Sequence, residues 1–322
     1  MTLRRYSCRE KSFAETHKTL AISMSNNHRL NSVSGNQVLE ADLASHGFQV
    51  LKSFLEPSEL PIVRSLVGSV LTSSRDISCT RPHNTLVPLR WNDAIVRLLL
   101  ASERRVQAIA EVSRAQDLKW ISGYVSIKEP GSPALWWHQD WWCWDHPVSY
   151  HRAPPQISVL CYLTDTNANN GALRVLPASH LKSAPIHAFL PEAHSHHAGD
   201  LEPEHISMTD LPNQATPPLN AGDAVVIDYR LLHGTHPNGS STSRKCILLS
   251  FTPSWCGLPE DIKAHLIAHP AQPSDRERLQ PTPMLEGLIP IFVGRRQDLP
   301  INRNAPSVFD ILERGSNRPP LR

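Results

Sequence analysis

Six short apolar runs lie between Lys119 and Trp255: "KWISGYVSIKEPG", "LWWHQDWW", "QISVLCYLTD", "ALRVLPASH", "DAVVIDYRLLHG" and "KCILLSFTPSW". Turn residues separate them, which is the pattern of many short strands joined by loops. Asn170-Gly171, between two of the runs, reads as a hairpin turn. Upstream, "LASHGFQVLKSFLEPSELPIVRSLVGSVL" (43–71) reads as a helix end, a strand and a helix, with Leu60, Val63, Leu66, Val67 and Leu71 at helical spacing. "DAIVRLLLASERRVQAIAEVSR" (93–114) reads as one further amphipathic helix. Two helices followed by at least six short strands predict a mostly β fold with flanking helices. The specific architecture expected is a double-stranded β-helix, a jelly-roll, cupin-like barrel.

Proline outnumbers glycine, 28 to 14, and clusters at 130–155, 185–218 and 253–321. Long irregular loops are therefore expected between the strands. Residues 1–37 carry Arg4, Arg5, Arg9, Lys11, Lys18 and Arg29 against Glu10 and Glu15. An acid-poor basic start of this kind is shared with organelle transit peptides. The arginines lack amphipathic spacing, so a disordered basic tail is the expectation. Residues 38–260 are expected to form the barrel domain. Residues 261–322 are expected to be a partly helical or irregular extension packing on it. A net charge of +2 gives no case for nucleic acid or an anionic membrane. No apolar run approaches the roughly 18 to 20 residues of a membrane span. The six cysteines form no Cys-x-x-Cys pair, so reduced thiols in a cytoplasmic protein are expected.

The stretch "LWWHQDWWCWDHP" (135–147) places His138 and Asp140 among five tryptophans. In a strand these two point to the same face and Gln139 to the other. An imidazole and a carboxylate side by side can hold adjacent positions on a metal. A lone His-x-Asp is weak evidence, and a second histidine is needed for a facial triad. His233 stands at the end of an apolar run, with His236 as its competitor. Arg244 follows His233 by 11 residues (244 − 233), on the next strand. A hairpin of that length can bring both into one cavity, where a guanidinium binds a carboxylate bidentately.

The ordered set "HQD", "LTDT…NNGALRVLPASH" and "GD…IDYRLLHG…PN.S…R" resembles the phytanoyl-CoA dioxygenase family of Fe(II)/2-oxoglutarate oxygenases over residues 43–256. The resemblance implies that His138, Asp140 and His233 hold Fe(II), and that Arg244 binds the distal carboxylate of 2-oxoglutarate. It implies O2 as co-reactant, with release of succinate and CO2. Ser158 matches a position that meets the cosubstrate in ectoine-hydroxylase members. Asp140 is the carboxylate that related halogenases lack, which argues for hydroxylation or desaturation.

Trp136 shares strand parity with the ligands. Trp144 stands where ectoine-hydroxylase members carry a tryptophan near the substrate. Trp136, Gln139, Trp141, Trp142 and Trp144 are accordingly expected at the substrate, and Trp137 in packing. Tyr124 and Lys128 are weighed as cosubstrate contacts and set aside, and His180 is read as a packing residue. The histidine-rich run 187–205 is read as a solvated loop, with a lid as the alternative. The expected activity is hydroxylation of a small molecule, a secondary metabolite or modified amino acid. The rivals are a desaturase or ring-modifying oxygenase, an acyl-CoA hydroxylase, and a non-catalytic cupin-like metal- or ligand-binding barrel.

Overall fold

A computed structural model describes residues 41–73, 79–81, 84–278 and 285–312. The tail 1–37 lies outside the described residues. Ten strands among the described residues form two antiparallel sheets: β1 (Phe48–Leu51), β2 (Cys79–Arg81), β3 (Asn84–Leu89), β4 (Lys119–Lys128), β5 (Leu135–His138), β6 (Ile157–Tyr162), β7 (Leu173–Val175), β8 (Ala224–Asp228), β9 (His233–Thr235) and β10 (Arg244–Thr252). The larger sheet runs β1-β8-β6-β10-β4-β3-β2 and the smaller β5-β9-β7. This is the expected double-stranded β-helix, mostly β with flanking helices.

Side-chain alternation decides what faces where. In β6, Ile157, Val159 and Cys161 enter the main apolar core, while Ser158, Leu160 and Tyr162 line the interior cavity. In β10, Ile247, Leu249 and Phe251 enter the same core, while Arg244, Cys246, Leu248 and Ser250 line the cavity. The large sheet therefore presents an apolar face to helices and a mixed, partly polar face inward. The helices α1 (Leu43–His46), α2 (Leu60–Ser73), α3 (Ala94–Leu100) and α4 (Glu103–Ser113) lie before β4. They supply Leu43, Val63, Val67, Ile95, Leu99 and Ile109 to the apolar face.

Three expectations are corrected. The single helix expected over 93–114 is two, broken at Ala101–Ser102. Ser102 caps α4 by accepting from Arg105 N, and the buried Arg105 guanidinium donates to the terminal carbonyls Leu98 O and Leu99 O of α3. One arginine thus satisfies orphan carbonyls that a continuous helix would have bonded internally. Asn170-Gly171 does not close a hairpin, because β6 and β7 belong to different sheets. Gly171 instead sits at φ +78° in the crossing, with a Cβ there falling 2.5 Å from Lys128 Cδ. Likewise β9 and β10 are not a hairpin pair, and the chain changes sheets between His233 and Arg244.

Beyond β10, α5 (Glu260–Leu266) and the segment 299–311 pack on the barrel. Ile262, Leu266, Phe309 and Ile311 join Trp141, Trp144 and Val148 in one apolar cluster. Asn302 bonds the main chain on both sides of Cys143, donating to Trp142 O and accepting from Trp144 N. No helix among the described residues is long and apolar enough to cross a membrane.

Candidate metal centre

β5 ends on His138 and β9 begins on His233, and the two residues are register partners across the small sheet. Their rings lie 4.3 Å apart. Each Nδ1 contacts the main-chain carbonyl two residues back, His138 with Trp136 O at 2.9 Å and His233 with Leu231 O at 3.0 Å. Nδ1–H donation of this kind fixes the tautomer and leaves Nε2 as the lone-pair donor, the arrangement common to metal-ligating imidazoles. Both Nε2 atoms face Asp140, at 3.8 Å from Oδ1 for His138 and 3.6 Å from Oδ2 for His233. Asp140 lies just past the strand, and its main-chain oxygen accepts from Arg303 Nη1 at 3.0 Å.

The protonation states suit a metal. Burial holds the His138 imidazole well below its ordinary range, with His233 and His194 adding to the effect. For Asp140, burial pushes the carboxyl up, but His233, His194 and His138 together hold it well below the usual carboxylate range. Neutral imidazole and ionised carboxylate are the forms that bind a divalent cation. Three donors converging from one side are the set that borderline ions such as Fe(II) accept, with positions left for other ligands.

The three residues share a cavity of ≈ 380 Å³ with Arg244. Arg244 is 3% exposed, its Nε lacks a hydrogen-bond partner, and it forms an ion pair with none of the described carboxylates. Its guanidinium lies 5.5 Å from the Tyr162 ring centroid. A buried cation in this state calls for an anion from outside the chain. Ser158 and Tyr124 also line the cavity, and Lys128 does not. Lys128 is fully buried and donates to Pro133 O; burial first, then Arg244 and Arg174, push it down to about 7.

Of the residues expected at the substrate, Trp136 and Trp142 line the cavity. Trp142 donates through Nε1 to Gln156 Oε1 and stacks on His265 with centroids 4.2 Å apart. The expectation is corrected for Trp141, Trp144 and Gln139, which are outside its lining. Trp141 donates to Ser149 Oγ, and Trp144 packs on Phe309. Gln139 points to the opposite face and donates to Arg230 O. The chain leaves the strand after His138, so parity no longer reports direction beyond it. His236 is not at the centre: its Nε2 pairs with Thr216 Oγ1 at 2.7 Å. His180 is buried near Ala44 O, and burial pushes it down to about 4.

Two groups of cavity residues carry no sequence signal of their own. His265, His269, Asp298 and Arg303 come from the C-terminal extension. His194 comes from the histidine-rich run, and its Nε2 stands 3.0 Å from Asp140 Oδ1. The reading of that run as solvated is corrected at this residue, whose side chain is 15% exposed.

A barrel with two imidazoles, a carboxylate and a buried guanidinium in one cavity matches a known class. The family model for phytanoyl-CoA dioxygenase matches residues 43–246, and the chain belongs to that family. It is 27% identical over 155 residues to the dioxygenase ALT11 of Alternaria alternata, covering 46% of this chain and 43% of that protein. It is 24% identical to an ectoine dioxygenase of Nocardia farcinica, covering 64% of this chain and 74% of that protein. The first two curated relatives are spanned over only 43% and 54% of their length. Among solved structures, HygX of Streptomyces hygroscopicus with nickel and 2-oxoglutarate bound superposes with a TM-score of 0.51 at 19% identity, over 66% of this chain and 84% of that one. SnoK, a non-heme alpha ketoglutarate dependent carbocyclase from nogalamycin biosynthesis, gives 0.50 at 18% identity, over 71% and 87%. These likenesses establish the fold.

Proposed function

We propose that the chain is a non-haem Fe(II)- and 2-oxoglutarate-dependent dioxygenase that hydroxylates a small molecule with release of succinate and CO2. The observation that carries this reading is Arg244, a buried guanidinium paired with none of the described carboxylates, in one cavity with His138, Asp140 and His233. In this reading His138, Asp140 and His233 hold the iron. When bound, the iron supplies activation of O2 coupled to decarboxylation of 2-oxoglutarate, leading to oxidation of a C–H bond. Arg244 takes the distal carboxylate of 2-oxoglutarate, and Ser158 faces the same cavity from β6, opposite Ser250 of β10. Trp136 and Trp142 supply apolar wall that excludes water. The cavity volume of ≈ 380 Å³ suits 2-oxoglutarate and a small substrate, at the low end of the range for ligand sites. The domain reading follows: the oxygenase barrel lies within 38–260, and His265, His269, Asp298 and Arg303 of the following extension wall one side of the cavity.

The test is succinate release by protein reconstituted anaerobically with Fe(II), then given 2-oxoglutarate and O2. Slow succinate formation is expected without substrate, stimulated by a substrate drawn from a panel of small metabolites. Iron-loaded protein that forms no succinate across the panel, or an Arg244→Ala variant that turns over 2-oxoglutarate normally, refutes the assignment.

A further inference from the structure

His194 stands in the connection from β7 to β8 and lines the same cavity as His138 and Asp140. That loop is tied to the strand that ends in His138. Ala198 and Met208 pack on Trp136, Trp137 N donates to Ser207 O at 2.7 Å, and Trp137 Nε1 donates to Thr209 O. Arg174 adds bonds to Met208 O and Thr209 O. His194 itself adopts φ +66°, in the left-handed region that a side chain rarely takes. Backbone in that region persists where its surroundings hold it, and it clusters at functional sites. The ring it delivers meets the His138 ring edge-on at 5.0 Å. Its Nε2 stands closer to Asp140 than either His138 or His233 does, 3.0 Å against 3.8 and 3.6 Å. The Nε2 atoms of three histidines therefore converge on one carboxylate. Its loop neighbours differ: His187 turns back on Ala184, His205 contacts Ser207, and His197 is exposed.

We propose that His194 is a fourth protein ligand of the metal in the cosubstrate-free protein, and that 2-oxoglutarate displaces it. The inference rests on the iron reading above. His138, Asp140 and His194 can each offer one donor atom, and these lie within 4.8 Å of one another. Adjacent donors on a six-coordinate ion with bonds of about 2.1 Å are about 3 Å apart, which is the separation of His194 from Asp140. Three protein donors leave three positions. 2-Oxoglutarate needs two of them and O2 the last, so a fourth imidazole occupies a place that turnover requires.

The test counts imidazoles on the metal. The wild type, His194→Ala, and His197→Ala as a same-loop control are loaded with Cu(II). Each is read by pulsed electron paramagnetic resonance, in which the remote nitrogen of every bound imidazole modulates the echo. The expected result is three imidazoles in the wild type and in His197→Ala, and two in His194→Ala. Addition of 2-oxoglutarate brings the wild type to two. Metal affinity without cosubstrate falls at least tenfold in His194→Ala, and this difference vanishes with 2-oxoglutarate present. Two imidazoles in the cosubstrate-free wild type overturn the proposal, even if His194→Ala weakens binding, since His194 then acts through Asp140. Three that persist with 2-oxoglutarate overturn the displacement. Wild-type protein that takes up no metal overturns both this proposal and the iron reading, whereas a two-imidazole site overturns this one alone.

Discussion

Replacing Arg244 by methionine should separate ligand binding from folding. The guanidinium is buried, and none of the described carboxylates pairs with it. In the proposed complex it makes two charge-assisted hydrogen bonds to a carboxylate, each worth about 1.5–3 kcal/mol. Losing both costs about 3–6 kcal/mol, which at about 1.4 kcal/mol per tenfold weakens 2-oxoglutarate binding by roughly 10²- to 10⁴-fold. The folded state responds differently. It loses the contact with Tyr162, worth about 0.5–2 kcal/mol. It also sheds a buried charge whose effective desolvation penalty is of order several kcal/mol. Without cosubstrate the Arg244→Met protein should therefore be as stable as the wild type or more so. The assays are calorimetric titration of 2-oxoglutarate into Mn(II)-loaded protein and urea unfolding of metal-free protein. Retained affinity, or a loss of stability above about 2 kcal/mol, refutes the view of Arg244 as a cation awaiting a ligand.

Lys128 is held at about 7 against 10.5 for a free lysine, so between those values the unfolded chain binds a proton that the folded chain does not. Wild-type stability should rise with pH across that window. The stabilisation gained by Lys128→Met should be largest below pH 7 and shrink toward pH 10 in urea unfolding series. His180, His187 and His269 are each pushed down to about 4 by burial, so the unfolded chain takes up protons below 6.5 that the folded chain refuses. Stability should fall as pH drops from 6.5 to 4, with a slope approaching three protons, and His187→Asn should flatten it. Trp144→Ala should cost about 3–5 kcal/mol by emptying a core position. Trp142→Ala should change the order of activity across the substrate panel, which the folded fraction of Trp144→Ala leaves unchanged.

His138 and His233 meet because the last residue of β5 and the first of β9 are register partners, whereas Asp140 lies just past the strand and is singled out by the family resemblance rather than by alternation. The interior face of the large sheet is legible from strand alternation, as Ser158 and Arg244 keep parity with their cavity neighbours. Legibility stopped where periodicity stopped. Trp141 and Trp144 follow the strand's end, and their direction is set by Ser149 and Phe309 rather than by alternation. His194 and Arg303 reach the cavity from irregular chain, with no repeating pattern to reveal it. The break between α3 and α4 was hidden because both halves share one apolar stripe, and the capping by Arg105 emerges only with the fold.

The centre straddles the two sheets. His138 and His233 belong to the small sheet, while Ser158 and Arg244 belong to the large one. A molecule that binds the metal at one end and Arg244 at the other acts as a rivet between two layers. Its binding energy is then felt as resistance to their separation. At a hundredfold excess over its dissociation constant, such a ligand adds about 2.7 kcal/mol to the stability of the barrel. Metabolic supply of the cosubstrate would set the lifetime of the protein as well as its rate of turnover.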